Sequence, residues 1–138
     1  MRLTLNDWDT QREGARAVRF DVFVVEQNVP LELEWDEMDA QSLHALVLDA
    51  AGRAVATGRL LPDGHIGRMA VRKEARGRGI GGMVLEALIG AARRRGDRAV
   101  MLNAQTQAES FYRRYGFERE GETFMEAGIP HIAMRKAL

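Results

Sequence analysis

A mixed α/β fold is predicted by three observations. Apolar spacing along the chain switches repeatedly between the helical and the strand period. Glycine and proline turn signals fall between those segments, and no repeat or low-complexity tract divides them. The expected order is β-α-β-β-β-α-β-α-β-β. At 138 residues, with 46% hydrophobic and 29% charged content, the chain is long enough for one sizeable core, so residues 1–138 are expected to form a single domain.

The elements follow in order. "RLTL" is a short first strand. "DTQREGARAVRFDVFVVEQ" places Ala15, Val18 and Phe23 at helical spacing, and Pro30 then interrupts regular structure. "LHALVLD" and "AVATGRLL" are apolar runs joined by the hairpin signal "AAGR", and "LPDGH" turns the chain into "IGRMAV", giving three antiparallel strands. In "IGGMVLEALIGAARRRG" the residues Ile80, Val84, Leu85, Leu88, Ile89 and Ala92 mark a largely buried helix. Arg93, Arg94 and Arg95 suit its negative end, and Gly96 suits its termination. "RAVMLNA" is the next strand and "QAESFYRRYG" a short helix. "ETFMEA" and "HIAMRKAL" form a closing pair split by "GIP".

Composition excludes several functions. No run of eighteen apolar residues occurs and the N-terminus lacks an apolar leader, so neither a membrane span nor a secretory signal is expected, and the default location is the cytoplasm. Zero cysteines exclude disulfides, thiolate metal sites and a cysteine nucleophile. The three histidines lie far apart and the acidic run lacks calcium-loop spacing, so no metal is expected. A formal net charge of zero argues against nucleic acid as a partner. Charge is unevenly spread, however. "EQNVPLELEWDEMD" holds six carboxylates and no cation, which reads first as a solvated loop and second as a mouth that attracts a cationic amine.

The segment "AVRKEARGRGIGGMVLEALIGAARRRG" raises the sharpest chemical question. A strand, a glycine-rich turn and a helix start leave unpaired backbone N–H groups at the positive end of the helix dipole, where an anion fits. Gly77, Gly79, Gly81 and Gly82 carry no Cβ to hold a phosphate away, and Arg76 and Arg78 add positive charge. The same glycines would also serve a tight turn and close helix packing. A nucleotide P-loop would need Gly-Lys-Ser/Thr, and here Met83 and Val84 follow. Gly77, Gly79 and Gly82 formally match a dinucleotide fingerprint, but a loop separates them from their strand and the next strand ends at Asn103 instead of an acid.

A third pattern, Arg/Gln-x-x-Gly-x-Gly/Ala, is met by Arg76, Gly79 and Gly81. With it the chain resembles the GNAT superfamily of N-acetyltransferases, and "LNAQTQAESFYRRYGF" is similar to that family's second segment, in the expected order. "FDVFVVEQNVP" and "EAGIPHIAM" further resemble the bacterial ElaA-like branch, so the resemblance covers most of the chain. It implies a mostly antiparallel, mixed sheet of six to seven strands flanked by helices, splayed between "IGRMAV" and "RAVMLNA". It also implies acetyl-CoA as acyl donor in that gap and, as in related enzymes, a possible homodimer.

Carried over by position, the backbone of Met69, Ala70 and Val71 would pair with the pantetheine arm. The amides of Arg76, Gly77, Arg78, Gly79, Ile80 and Gly81 would hold the pyrophosphate, and Asn103 would meet the pantetheine or the substrate. Tyr112 matches the family's proton donor to the departing thiolate. Phe111 and Tyr115 are expected to pack. A deprotonated amine attacks a thioester directly, so no nucleophilic side chain is needed, and a backbone N–H of Val71 or Ala70 would stabilise the developing oxyanion. For the general base, His131 in "GIPHIAM" comes first and Glu26 second. Glu26, with Gln27, alternatively orients the acceptor. His44 and His65 rank lower. The acceptor is a primary amine, on a small molecule or a peptide, chosen by the loops at residues 26–42 and 122–131. The competing reading is a non-catalytic acyl-CoA-binding or sensing module.

Overall fold

The computed structural model describes residues 1–34 and 36–138. Strand β1 (Arg2–Asn6) leads into helix α1 (Trp8–Arg19), whose first turn is capped by Asp7 accepting from the Thr10 amide at 2.9 Å. The expected helix does not continue uniformly to residue 27. From Phe20–Glu26 it widens into a π-helix, a run dominated by aromatic and β-branched residues. The wider winding keeps Val22 in the core while Phe23, Glu26 and Gln27 reach the central cleft.

The acidic stretch is only in part the solvated loop expected of it: Glu26, Glu32, Asp36 and Glu37 are exposed, whereas Glu34 and Asp39 are not. It forms one helical turn, α2 (Leu31–Glu34), and a 3-10 turn (Glu37–Gln41), with Glu34 and Asp39 only 4% and 3% exposed. The compensating cations come from other elements. Arg19 donates to Glu34 and, at 2.9 and 3.1 Å, to Asp39. Arg59 donates to Asp39 at 2.9 Å and to Asp36 at 2.6 and 2.8 Å, and Arg68 reaches Asp36 at 3.2 Å. Burial pushes the Glu34 carboxyl up. The hydrogen bonds from Arg59 pull Asp36 down from 3.8 to about 2.

The consequence for acid stability has a definite sign. The unfolded chain protonates Asp36 near its ordinary value and the folded chain does so only near 2, so unfolding takes up a proton between those limits. This contribution is complete above about pH 4 and is lost as pH falls toward 2. Asp36→Asn is expected to flatten that part of the curve of urea midpoint against pH.

The three central strands are antiparallel, as the turn signals predict. They are β2 (Leu43–Leu48), β3 (Ala54–Leu60) and β4 (Ile66–Val71), and with β1 they form a sheet in the order β1-β2-β3-β4. Helix α3 (Ile80–Arg95) packs across it and buries all six of its predicted apolar residues. A Cβ at Gly58 on β3 would lie 2.8 Å from Val84 and 3.0 Å from Leu88, so the strand's glycine sets how closely α3 approaches. Gly96 ends α3 in the left-handed conformation, donating to Arg93 O at 3.0 Å.

The second sheet, β5-β7-β6, comprises β5 (Ala99–Gln105), β6 (Glu118–Glu126) and β7 (Ile129–Ala137), with α4 (Glu109–Arg114) following β5. The closing hairpin is longer than the sequence suggests, and only the glycine of "GIP" belongs to its turn. The chain reverses at Ala127 and Gly128, both in the left-handed region (φ 51° and 75°), as a two-residue hairpin turn demands. Pro130 already lies in β7 opposite Met125.

The two sheets meet where β4 and β5 run parallel, at a single bridge, His65 to Met101, with the Met101 amide donating to Gly64 O at 3.1 Å. Beyond that point no ladder joins β4 and β5 among the described residues, and the gap between them opens toward the C-terminal ends of both strands.

Candidate active site

The gap is the floor of a cleft of about 1430 Å³. One wall is β4. Opposite Gly58 this strand carries one residue too many, Arg68, held at φ 49°, so both Arg68 and Met69 face a single residue of β3. Past the bulge the ladder resumes, with the Arg72 amide donating to Val55 O at 2.8 Å. Antiparallel alternation then turns the Ala70 N–H toward β3 and the Val71 N–H toward the cleft. The Val71 carbonyl faces the same way and accepts from Arg76 Nε at 2.9 Å. Of the two amides suggested for an oxyanion, Val71 is the one the pairing leaves free.

The glycine turn closes one end. Gly77 and Gly79 adopt φ 79° and 76°, and a Cβ on either would meet no protein atom within 4 Å, so both face open space. Helix α3 makes its first bond from the Met83 amide to Gly79 O at 3.1 Å. The amides of residues 77–82 therefore donate to no protein group among the described residues. Six N–H groups at a helix start form a site for an anion such as a diphosphate. Arg76 and the glycines line the cleft, whereas the Arg78 side chain is exposed outside it. Gly82 also serves packing, because a Cβ there would overlap the Tyr115 hydroxyl.

Helix α4 brings Tyr112 into the gap. Its ring packs edge-on against Phe111 at 5.1 Å and Phe117 at 6.0 Å between centroids, and its hydroxyl lies 3.9 Å from Met69 Sδ on the β4 wall. Burial pushes the phenol up to about 12. At neutral pH it stays protonated and able to donate.

Strand β5 forms the other wall. Val100, Leu102 and Ala104 belong to the core that includes α3, so the alternate residues Met101, Asn103 and Gln105 face the opposite side of the sheet. His131 pairs with Gln105 across β5 and β7 and shares that face. Its Nδ1 donates to Ile129 O at 2.6 Å, leaving Nε2 unprotonated in the neutral ring, and Phe124 stacks on it at 6.0 Å.

Glu26 and Gln27 span the mouth. Glu26 accepts both outer nitrogens of Arg76 at 2.7 Å each, and these bonds hold its carboxyl below the usual range. Gln27 accepts from Gln105 at 3.0 Å, and Gln105 accepts from Gln107 at 2.6 Å. Thus adjacent residues tie the π-helix to both lips. His44 is buried against Trp8 and accepts no role in the cleft, and His65 pairs with Asp63 at 3.0 Å near the closed end.

Polar lining residues that the sequence reading did not single out include Arg59, Arg68, Gln105, Gln107, Arg114 and Glu126. Gln105 carried a usable signal, since strand period two places it on the face of Asn103. Arg68 and Glu126 depend on the bulge and on hairpin register, which no local pattern announces.

A splayed α/β sheet with a turn of unpartnered amides at one end of the splay is the arrangement of an acyl-CoA-dependent acyltransferase, and the relatives of the chain place it in that class. The acetyltransferase (GNAT) domain family matches residues 9–138, and the chain belongs to that family. It is 41% identical over 140 residues to YjcF of Bacillus subtilis, described as an uncharacterized N-acetyltransferase, with 99% of both chains covered. Among solved structures it is similar to an acyl-CoA N-acyltransferase from Pseudomonas aeruginosa (33% identity, TM-score 0.88, 99% of this chain and 100% of that one). It is also similar to ElaA of Escherichia coli (28% identity, TM-score 0.89, 99% of each). No grouping of residues able to hold a metal occurs among the described residues, and no described helix is long and apolar enough to cross a membrane.

Proposed function

We propose that the chain transfers an acetyl group from acetyl-CoA to a primary amine by direct attack within a ternary complex. The observation that carries this reading is the six unpartnered amides of residues 77–82 at one end of the cleft that holds the protonated Tyr112 hydroxyl. The amides hold the diphosphate, Met69 and Val71 offer their cleft-facing backbone to the pantetheine arm, and Asn103 faces that arm from β5. The amine enters from the face that carries Gln105 and His131.

His131 Nε2 takes a proton from the substrate ammonium, freeing the nitrogen lone pair. As the C–N bond forms, the Val71 N–H stabilises the charge on the carbonyl oxygen. When the C–S bond breaks, Tyr112 donates its proton to the thiolate, and the new amide nitrogen loses its surplus proton. The tyrosine recovers a proton from solvent, so one proton is released per turnover. Glu26, held by Arg76, shapes the acceptor mouth and is not the base.

A panel of primary amines supplied with acetyl-CoA and read by thiol release tests the proposal, with no protein cysteine to add background. Thiol release that depends on one class of amine is expected. Acetyl-CoA binding with no release across the panel would favour the non-catalytic sensing module instead.

A further inference from the structure

The carboxylates lining the cleft are not equivalent. Glu26 is held by Arg76, Glu34 by Arg19, and Asp36 by Arg59 and Arg68. Glu126 has no arginine or lysine partner among the described residues, and its side chain is 49% exposed. What it does face is His131, whose Nε2 lies 3.5 Å from Glu126 Oε2. The left-handed pair Ala127 and Gly128 fixes this meeting, because the tight turn sets Glu126 opposite Ile129, the residue whose carbonyl orients the imidazole.

That orientation has a chemical consequence. With the proton on Nδ1, the neutral ring turns a lone pair toward a carboxylate oxygen, and two acceptors face each other with no hydrogen between them. A group bearing at least two N–H donors satisfies both at once, and a primary ammonium is the simplest such group. Phe23, Val29 and Leu33 supply apolar surface in the same cleft for the carbon chain behind it.

We propose that Glu126 and His131 together dock the ammonium of the acceptor, Glu126 as its anchor and His131 as the acceptor of its proton. This inference rests on the N-acetyltransferase reading above. One N–H bond of the ammonium breaks, its proton passes to Nε2, and the freed electron pair goes on to the thioester carbon. The imidazolium so formed is paired by the carboxylate already beside it. The favoured acceptor class is a primary amine on an uncharged carbon chain. A free α-amino acid is disfavoured, since its carboxylate would lie against Glu126.

The test uses the most active primary amine of the acetyl-CoA panel, with its α-carboxylated counterpart as a second probe. Loss of a hydrogen bond to a charged group predicts that Glu126→Gln raises KM for the amine about 10- to 100-fold. KM for acetyl-CoA stays within about twofold, and Glu126→Asp recovers part of the loss. The wild type prefers the amine to its carboxylated counterpart, and Glu126→Gln narrows that preference. An unchanged amine KM in an active Glu126→Gln protein overturns the docking assignment and leaves the transferase reading standing. No thiol release from the wild type with any amine overturns both.

Discussion

Replacing Tyr112 by Phe is expected to lower kcat by about 10²-fold, the lower range for loss of a positioned proton donor, while acetyl-CoA binding is unchanged. The reason lies in where the hydroxyl sits. Phe111 and Phe117 hold the ring from two sides, so the phenyl group of the variant fills the same space. The hydroxyl makes only a long contact to Met69 Sδ at 3.9 Å, and its removal orphans no protein group. Stability should therefore move little, and the loss should appear in kcat at saturating substrates. Because burial holds the phenol near 12, it remains a donor throughout the neutral range, and no loss of activity from its ionisation is expected below about pH 10. Steady-state kinetics with thiol detection and a binding isotherm for CoA separate the two quantities. Equal kcat in the two proteins removes Tyr112 from the chemistry.

Arg19→Met is expected to have the largest effect on stability, about 3–5 kcal/mol, the usual cost of removing one partner from a buried ion pair. Arg19 is 1% exposed and joins Glu34, the Glu34 carbonyl at 2.9 Å and both oxygens of Asp39, with its guanidinium 5.4 Å from the centre of the Trp8 ring. Methionine keeps most of the stem's packing but removes the direct ion-pair partner of the Glu34 carboxyl and one of the two arginines that bond Asp39. Since these acids anchor α2 beside the cleft, the variant should also lose acceptor affinity before it unfolds. Urea titration of the two proteins measures the difference. A shift under about 1 kcal/mol would show that the network contributes little net stability.

The parts of this fold that were legible in the sequence are those whose cause is local. Helix α3 announced itself through Ile80, Val84, Leu85, Leu88, Ile89 and Ala92, and all six are buried. The glycine turn and Tyr112 stood in linear patterns, and the cleft brings them together. Less legible was β6, whose Glu118, Arg119 and Glu120 are all exposed, so an edge strand with no buried face shows no alternation to detect. The acidic stretch misled for a different reason. A charge count along the chain cannot see Arg19 on α1 or Arg59 on β3, and those two side chains draw Glu34 and Asp39 into a buried network while the other acids of the stretch stay exposed. Glu126 was invisible for a third reason, since its meeting with His131 depends on a turn at Ala127 and Gly128 that "GIP" concealed.

A crystal structure of the protein with bound CoA tests the central claim most directly. The expected result is a diphosphate within hydrogen-bonding distance, about 3 Å, of the amides of residues 77–82, with the CoA sulfur in the gap between β4 and β5 and Tyr112 Oη within about 3.5 Å of it. A diphosphate held away from those amides, or a sulfur outside the gap and beyond reach of Tyr112, would contradict it.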